Sequence, residues 1–320
     1  MNAALFDPAV LFFVFGVGAG LLRSNLNIPE AISKFLSLYL LMAIGLKGGF
    51  ALAASGFTDE VAHSLALAMA LAVITPLLAM LVLRRWTHAW NALAVAATYG
   101  SVSAVTFVTA LGHLEAQGIA YGGHMMAALA LMESPAILLA LLWAKRLRQQ
   151  TQQAESAPAA RHALHEALTE GPQLLLLGAM LIGLLTGEAG RAVMQPFAGD
   201  LFKGMLAFFL LDMGLLTARH LPSLRGQSPQ MVAYALLAPL VHAALALGLA
   251  SAFGLGLGNA VLLMVLAASA SYIAVPAVLR LAVPEADAPL YLGLSLGLTF
   301  PFNILIGITL YTDVARWWLG

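Results

Sequence analysis

The chain has 320 residues, 61% of them hydrophobic and only 9% charged, a balance that no soluble domain of this size needs and that marks a polytopic membrane protein. Its formal net charge is zero, so no nucleic-acid partner is suggested. It contains no cysteine, which excludes disulfides, thiolate metal sites and cysteine nucleophiles.

Reading apolar stretches of about 20 residues as spans gives ten. The first, 9–22, is short. Asp7 is the only charged side chain before it, so the basic region of a cleaved signal peptide is missing and the run is expected to be a retained span. Spans at 29–52, 61–83, 90–114 and 119–143 follow. From Lys145 to His165 the composition turns to Lys, Arg, Gln, Glu, Ser and Pro, which reads as a polar linker. Further spans are expected at 172–186, 196–218, 231–253, 259–282 and 288–312. The expected organisation is therefore a first five-helix repeat over 1–147, a cytoplasmic linker over 148–170 and a second five-helix repeat over 171–320. With the N-terminus outside, the inner side receives Arg23, Arg84, Arg85, Lys145, Arg146, Arg148, Arg161, Arg219, Arg225 and Arg280, and the outer side only Arg191 and Arg316. That bias follows the positive-inside rule and puts both termini outside an inner (plasma) membrane.

An internal repeat supports this division. Asn91-Ala92 recurs 168 residues on as Asn259-Ala260, and Ser101 and Ser103 recur as Ser269 and Ser271 at the same offset. Five spans per half, an odd number, turn the second copy upside down relative to the first. Gly100-Ser101-Val102-Ser103 and Ser269-Ala270-Ser271 each interrupt an apolar segment with residues that weaken a helix. A helix broken there leaves a half-helix whose N-terminal N–H groups lack partners and carry partial positive charge. Two such ends meeting near the midplane make a small-anion site of the kind secondary transporters use. Small residues that only let helices pack closely are the plainer explanation, and recurrence in register favours the site.

Charged residues at membrane depth are costly and so are functional candidates. Lys34, Lys203 and Arg280 lie near span ends, from which their long side chains reach the headgroups. Glu133 lies about 12 residues, or roughly 18 Å, from the basic cluster at Lys145 and so near the midplane. Pro135 beside it cannot donate to the helix ladder and frees carbonyls that could join the carboxylate around a cation. The alternative is a protonated Glu133 hydrogen-bonded within the bundle. Thr299-Phe300-Pro301, in the matching span of the second half, could supply a hydroxyl from the other side. Asp212 is also near the midplane, as a partner for a lysine, a proton carrier or a cation ligand. Lys47 either snorkels or is a fixed cation aimed at the site. The histidines at 63, 113, 124 and 242 show no metal-ligand spacing, and there is no HExxH, catalytic triad or phosphate-binding Gly loop, so no enzyme is expected.

Ile28-Pro29-Glu30-Ala31-Ile32-Ser33 and Ile44-Gly45-Leu46 with Gly48-Gly49 resemble the opening of the sodium-dependent bicarbonate transporter family, the SbtA type. Gly100-Ser101-Val102-Ser103 to Thr106, Leu114-Glu115, Met132-Glu133-Ser134-Pro135-Ala136 and Ala267-Ala268-Ser269-Ala270-Ser271 through Pro276 to Leu279-Arg280 continue the likeness in the family's order, over nearly the whole chain. The resemblance implies ten spans in a five-plus-five inverted repeat, usually a homotrimer, with bicarbonate at the crossing of broken fourth and ninth spans and sodium beside it. In cyanobacterial members it also implies a PII-like regulator on the cytoplasmic side, and no cofactor beyond the sodium ion. Ser103, Thr106, Ser269 and Ser271 match the anion and sodium region, and Glu133 stands where the family has Asp. The chain departs from the family at Ala104-Val105, at Tyr272 and Asn91 in place of Asp, and at Lys47 in place of Thr. Those changes remove sodium-type ligands, so weakened sodium coupling is expected, with Lys47, a proton on Glu133, or Asp212 taking over. Tyr272 is expected to narrow the pocket or to offer its hydroxyl. The expected function is inward transport of a small inorganic anion, most directly bicarbonate. The alternatives are a proton- or sodium-coupled carrier of another small anion, and a membrane receptor of the same fold that does not transport.

Overall fold

A computed structural model describes residues 7–56, 58–150 and 171–320. Every regular element among them is helical. In chain order they are α1 (Pro8–Leu21), α2 (Glu30–Ser55), α3 (Asp59–Leu83), α4 (Ala89–Gly100), α5 (Ala104–Ala116), α6 (Met125–Gln150), α7 (Gly171–Met194), α8 (Phe202–His220), α9 (Pro229–Ala252), α10 (Leu257–Ala268), α11 (Ala274–Ala282) and α12 (Ala288–Leu319). The linker predicted at 148–170 lies, from residue 151 on, outside the described residues.

Seven helical runs are long and apolar enough to cross a membrane, against ten spans expected. The difference has physical causes. With 14 residues α1 is about 21 Å long, short of the roughly 30 Å of hydrocarbon. The ninth expected span is divided into α10, of 12 residues, and α11, of 9. The sixth and seventh run together over Gly171–Leu224, because α7 passes through a π-helical turn at Gln195–Asp200 directly into α8. Within α7, Gly187 has φ 51° and ψ −140°, a conformation open to glycine and strained for other residues. The expected end of this span, Thr186, is its neighbour.

Two crossings of small residues hold one group of helices together. Gly16 and Gly20 of α1 meet Gly214 and Ala218 of α8, and Gly45 and Gly49 of α2 meet Ala179 and Gly183 of α7. A Cβ on Gly16 would lie 2.3 Å from the Leu211 carbonyl oxygen, and one on Gly49 would lie 2.1 Å from that of Met180. Backbones touch at both crossings, so close packing replaces the hydrophobic drive that lipid cannot supply. Each crossing joins a first-half helix to a second-half helix. The remaining helices form a second group around α4 and α10, in which every residue from Ala92 to Gly100 and from Gly258 to Ala268 is buried. Helices apolar on all sides belong at the centre of a bundle. Leu181, Leu185, Leu237 and Val241 point outward, as side chains facing lipid would.

The second group is cross-tied through its repeated asparagines. Asn91 Oδ1 accepts from the Asp287 N–H at 2.9 Å, ahead of α12, and Asn259 Oδ1 accepts from the Gly122 N–H at 2.7 Å, ahead of α6. Each asparagine sits in the first turn of α4 or α10 and fixes a loop of the opposite half.

Gly49→Val and Gly214→Val should each destabilise the protein by about 1–3 kcal/mol, the usual cost of overpacking. Gly18→Ala, which meets nothing within 4 Å, should not. Thermal unfolding in detergent measures both.

Candidate functional site

Helix is interrupted at 101–103 and at 269–273, and the two interruptions meet. Ser101 and Ser103 are extended, with φ/ψ of −101°/−175° and −109°/111°, as is Ser269 at −81°/164°. Gly100 permits the close approach of α3: a Cβ there would lie 2.5 Å from the Pro76 Cβ.

Hydrogen bonds join the two breaks. The Ser103 N–H donates to Ser269 Oγ at 2.9 Å, and that hydroxyl donates to the Leu266 carbonyl at 2.9 Å. From the other side, the Ser271 N–H donates to the Thr98 carbonyl at 2.8 Å. Ser103 caps α5, accepting from the Thr106 N–H at 3.2 Å and the Thr106 hydroxyl at 3.0 Å. Ser271 Oγ accepts from the Val275 N–H at 3.3 Å. Asn303 Nδ2 donates to the Ala268 carbonyl at 2.9 Å. The half-helix starts are therefore less open than the sequence suggests. The breaks satisfy each other, and the N–H groups of Ala104, Val105 and Ala274, all lining the cavity, remain without an intrahelical acceptor.

The cavity at the crossing has a volume of ≈ 80 Å³, room for a few waters or one small polyatomic anion. Ser37, Ser103, Glu133, Gln173, Ser271 and Tyr272 are its polar lining, and among the described residues Glu133 is the charged one. Among the predicted site residues, Ser103, Glu133, Ser271 and Tyr272 thus come together. Gly100, Ser101, Thr106 and Ser269 lie in or beside the breaks without lining it. The Ser101 hydroxyl is buried with no partner among the described residues. Tyr272 lines the space, its ring packed edge-on to Phe300 at 5.3 Å and its hydroxyl turned to Met213 Sδ at 3.7 Å.

Three predicted residues lie elsewhere. Lys47 is drawn away from the cavity into an ion pair with Glu115 at 3.1 Å, with its ammonium 4.1 Å from the centre of the Phe202 ring. Tyr121 donates to the same Glu115 oxygen at 2.9 Å. Thr299 is fully buried, donating to the Ala235 carbonyl at 2.7 Å and sharing a hydrogen bond with Tyr99 at 2.5 Å. Asp212 accepts from the Ser33 hydroxyl between α2 and α8. Sequence reasoning missed Ser37 and Gln173. The signal available for Gln173 was its place as the polar residue in the apolar first turn of α7.

An all-helical bundle with several apolar helices long enough to cross a membrane defines a multi-pass membrane protein. The chain belongs to the Na+-dependent bicarbonate transporter superfamily, whose pattern matches residues 8–316, nearly the whole length. Membership in a transporter family points away from enzymatic activity. No curated protein matches the chain.

Ser269→Ala leaves the buried Ser103 N–H without its acceptor and should cost about 1–3 kcal/mol. Ser101→Ala removes no bond and should stay within about 0.5 kcal/mol. Chemical denaturation of the two variants tests the difference.

Proposed function

We propose that the chain is a secondary transporter that carries bicarbonate inward, held in the cavity where the two helix breaks cross. The observation that carries this reading is the juxtaposition of the breaks. Segments 168 residues apart in sequence exchange hydrogen bonds and line one cavity together with a carboxylate. The architecture is read as ten spans in a five-plus-five inverted repeat, with α4–α5 as the broken fourth span and α10–α11 as the broken ninth. The interleaved crossings of α1 with α8 and α2 with α7, and the paired asparagine ties, support that reading.

The charge in the cavity determines the coupling. An anion and a carboxylate lining one cavity repel each other, and in this reading a cation or a proton at Glu133 offsets the repulsion. With Lys47 paired to Glu115, no lysine or arginine among the described residues lines the cavity. Glu133 and the nearby hydroxyl oxygens are hard donors that suit a sodium ion. Sodium coupling through Glu133 is therefore the reading adopted, with a proton at the same carboxylate as the alternative that the assay separates. Lys47 has no part in it.

Access alternates between two faces in this scheme. The first cavity includes Pro172 and Gln173 at the start of α7, the end that carries the linker. A second cavity of ≈ 180 Å³, lined by Asp7, Thr109, His113 and Lys203, lies toward the opposite face. Both lie between the α1–α2–α7–α8 group and the rest, and the crossing separates them. Lys47–Glu115 fastens the two groups on the face opposite the linker.

Purified protein in liposomes should take up labelled bicarbonate under an inward sodium gradient. Glu133→Gln should abolish the dependence on sodium, and Ser103→Leu or Ser271→Leu should abolish uptake. Uptake driven by a proton gradient alone would move the coupling to a proton on Glu133. Normal uptake by both leucine variants would put the site elsewhere.

A further inference from the structure

The Gln173 side chain is held at one end only. Its Nε2 donates to the Ala130 carbonyl at 3.0 Å and lies 3.5 Å from Ser134 Oγ. A backbone carbonyl can only accept, so the amide nitrogen must face Ala130, and this settles which end of the amide is which. Oε1 then faces the other way. It is buried, and no donor among the described residues reaches it. Gln173 also lines the central cavity with Ser103, Glu133, Ser271 and Tyr272.

A buried acceptor without a donor is costly, and a partner that arrives with the ligand removes the cost. Apart from Glu133, which the cation or proton occupies in the proposed scheme, the lining also offers donors. The N–H groups of Ala104, Val105 and Ala274 at the half-helix starts are donors, suited to the charged oxygens of an anion. With the Glu133 carboxylate taken up by the cation or proton, the cavity combines several donors with one remaining acceptor whose orientation is fixed. The complement of that set is an oxyanion that carries one proton: its bare oxygens meet the donors, and its O–H meets the acceptor.

We propose that Gln173 is a specificity-determining residue, whose amide oxygen accepts the O–H of a protonated oxyanion and so selects it over anions of similar size without a proton. The inference rests on the transporter reading for where the ligand sits. It adds the feature that distinguishes bicarbonate from nitrate, which is also planar and singly charged but has no hydrogen to donate. A site made to hydrogen-bond a hydroxyl discriminates against analogues lacking it, because its own polar group is then left unpaired.

The test compares wild type with Gln173→Met, which keeps length and bulk but removes the amide. Bicarbonate and nitrate are measured side by side, as apparent KM and inhibition constant in proteoliposomes, and as thermal stabilisation of the detergent-solubilised chain by each anion. Wild type should prefer bicarbonate, and Gln173→Met should weaken bicarbonate about tenfold, the loss of one hydrogen bond, while nitrate changes less than about twofold. Loss of the Nε2 bond to Ala130 alone would weaken both anions equally. An equal loss, or no loss, overturns the proposal. A shift in the sodium half-saturation in place of the anion preference also overturns it, making Oε1 a cation ligand. If wild type shows no uptake yet is stabilised by bicarbonate more than by nitrate, and Gln173→Met erases the difference, the selection stands and the transport reading falls. If neither anion stabilises wild type, both fall.

Discussion

Hydrocarbon offers no hydrogen-bond partner, so every backbone group that leaves a helix within a membrane must be satisfied inside the protein. At 101–103 and 269–273 the chain meets that requirement by setting two irregular segments against each other. Ser269 gives an acceptor to the Ser103 N–H, and Thr98 gives one to the Ser271 N–H. Neither break could be buried alone without unpaired polar groups, each worth about 1–3 kcal/mol. The position of α4 against α10, the cap on α5 and the cavity beside them all depend on this mutual arrangement. Serine suits it because one hydroxyl can accept a backbone N–H and donate to a carbonyl at once, as Ser269 does.

Much of the site could be read from sequence because its chemistry is local. Gly100, Ser101, Ser103, Ser269 and Ser271 stand out in apolar surroundings, and their common offset ties them together. Glu133 stands out because a charge at membrane depth needs a reason. What could not be read depends on partners distant in sequence. Sequence leaves Lys47 open between snorkelling and facing the site, because Glu115, 68 residues away, cannot be assigned to it from spacing. Thr299 looked available because the carbonyl of Ala235 that engages it belongs to another helix. Gln173 was overlooked for the converse reason. A glutamine in a first helical turn is ordinary, and only the Ala130 carbonyl makes its orientation informative. The same limit applies to span count, since hydropathy does not register the continuous path from α7 into α8.

The polar interior is small, and its electrostatics are correspondingly strict. One carboxylate, a few hydroxyls and the starts of two half-helices line a cavity of ≈ 80 Å³. A fixed ammonium here would compete with the mobile cation of the proposed scheme for Glu133. The observed placement keeps Lys47 engaged by Glu115 and by the face of Phe202.

The crossings of α1 with α8 and of α2 with α7 also bear on how the protein is made. The glycine faces of α1 and α2 reach the bilayer during synthesis long before their counterparts on α8 and α7 exist. Until then those grooves lack the second-half helices that fill them in the finished bundle. Insertion and packing are therefore separated in time, as in other bundles whose helices first become stable individually and then associate. The first half cannot complete its own core while the ribosome is still at work, and the bundle closes only when the second half is in the membrane.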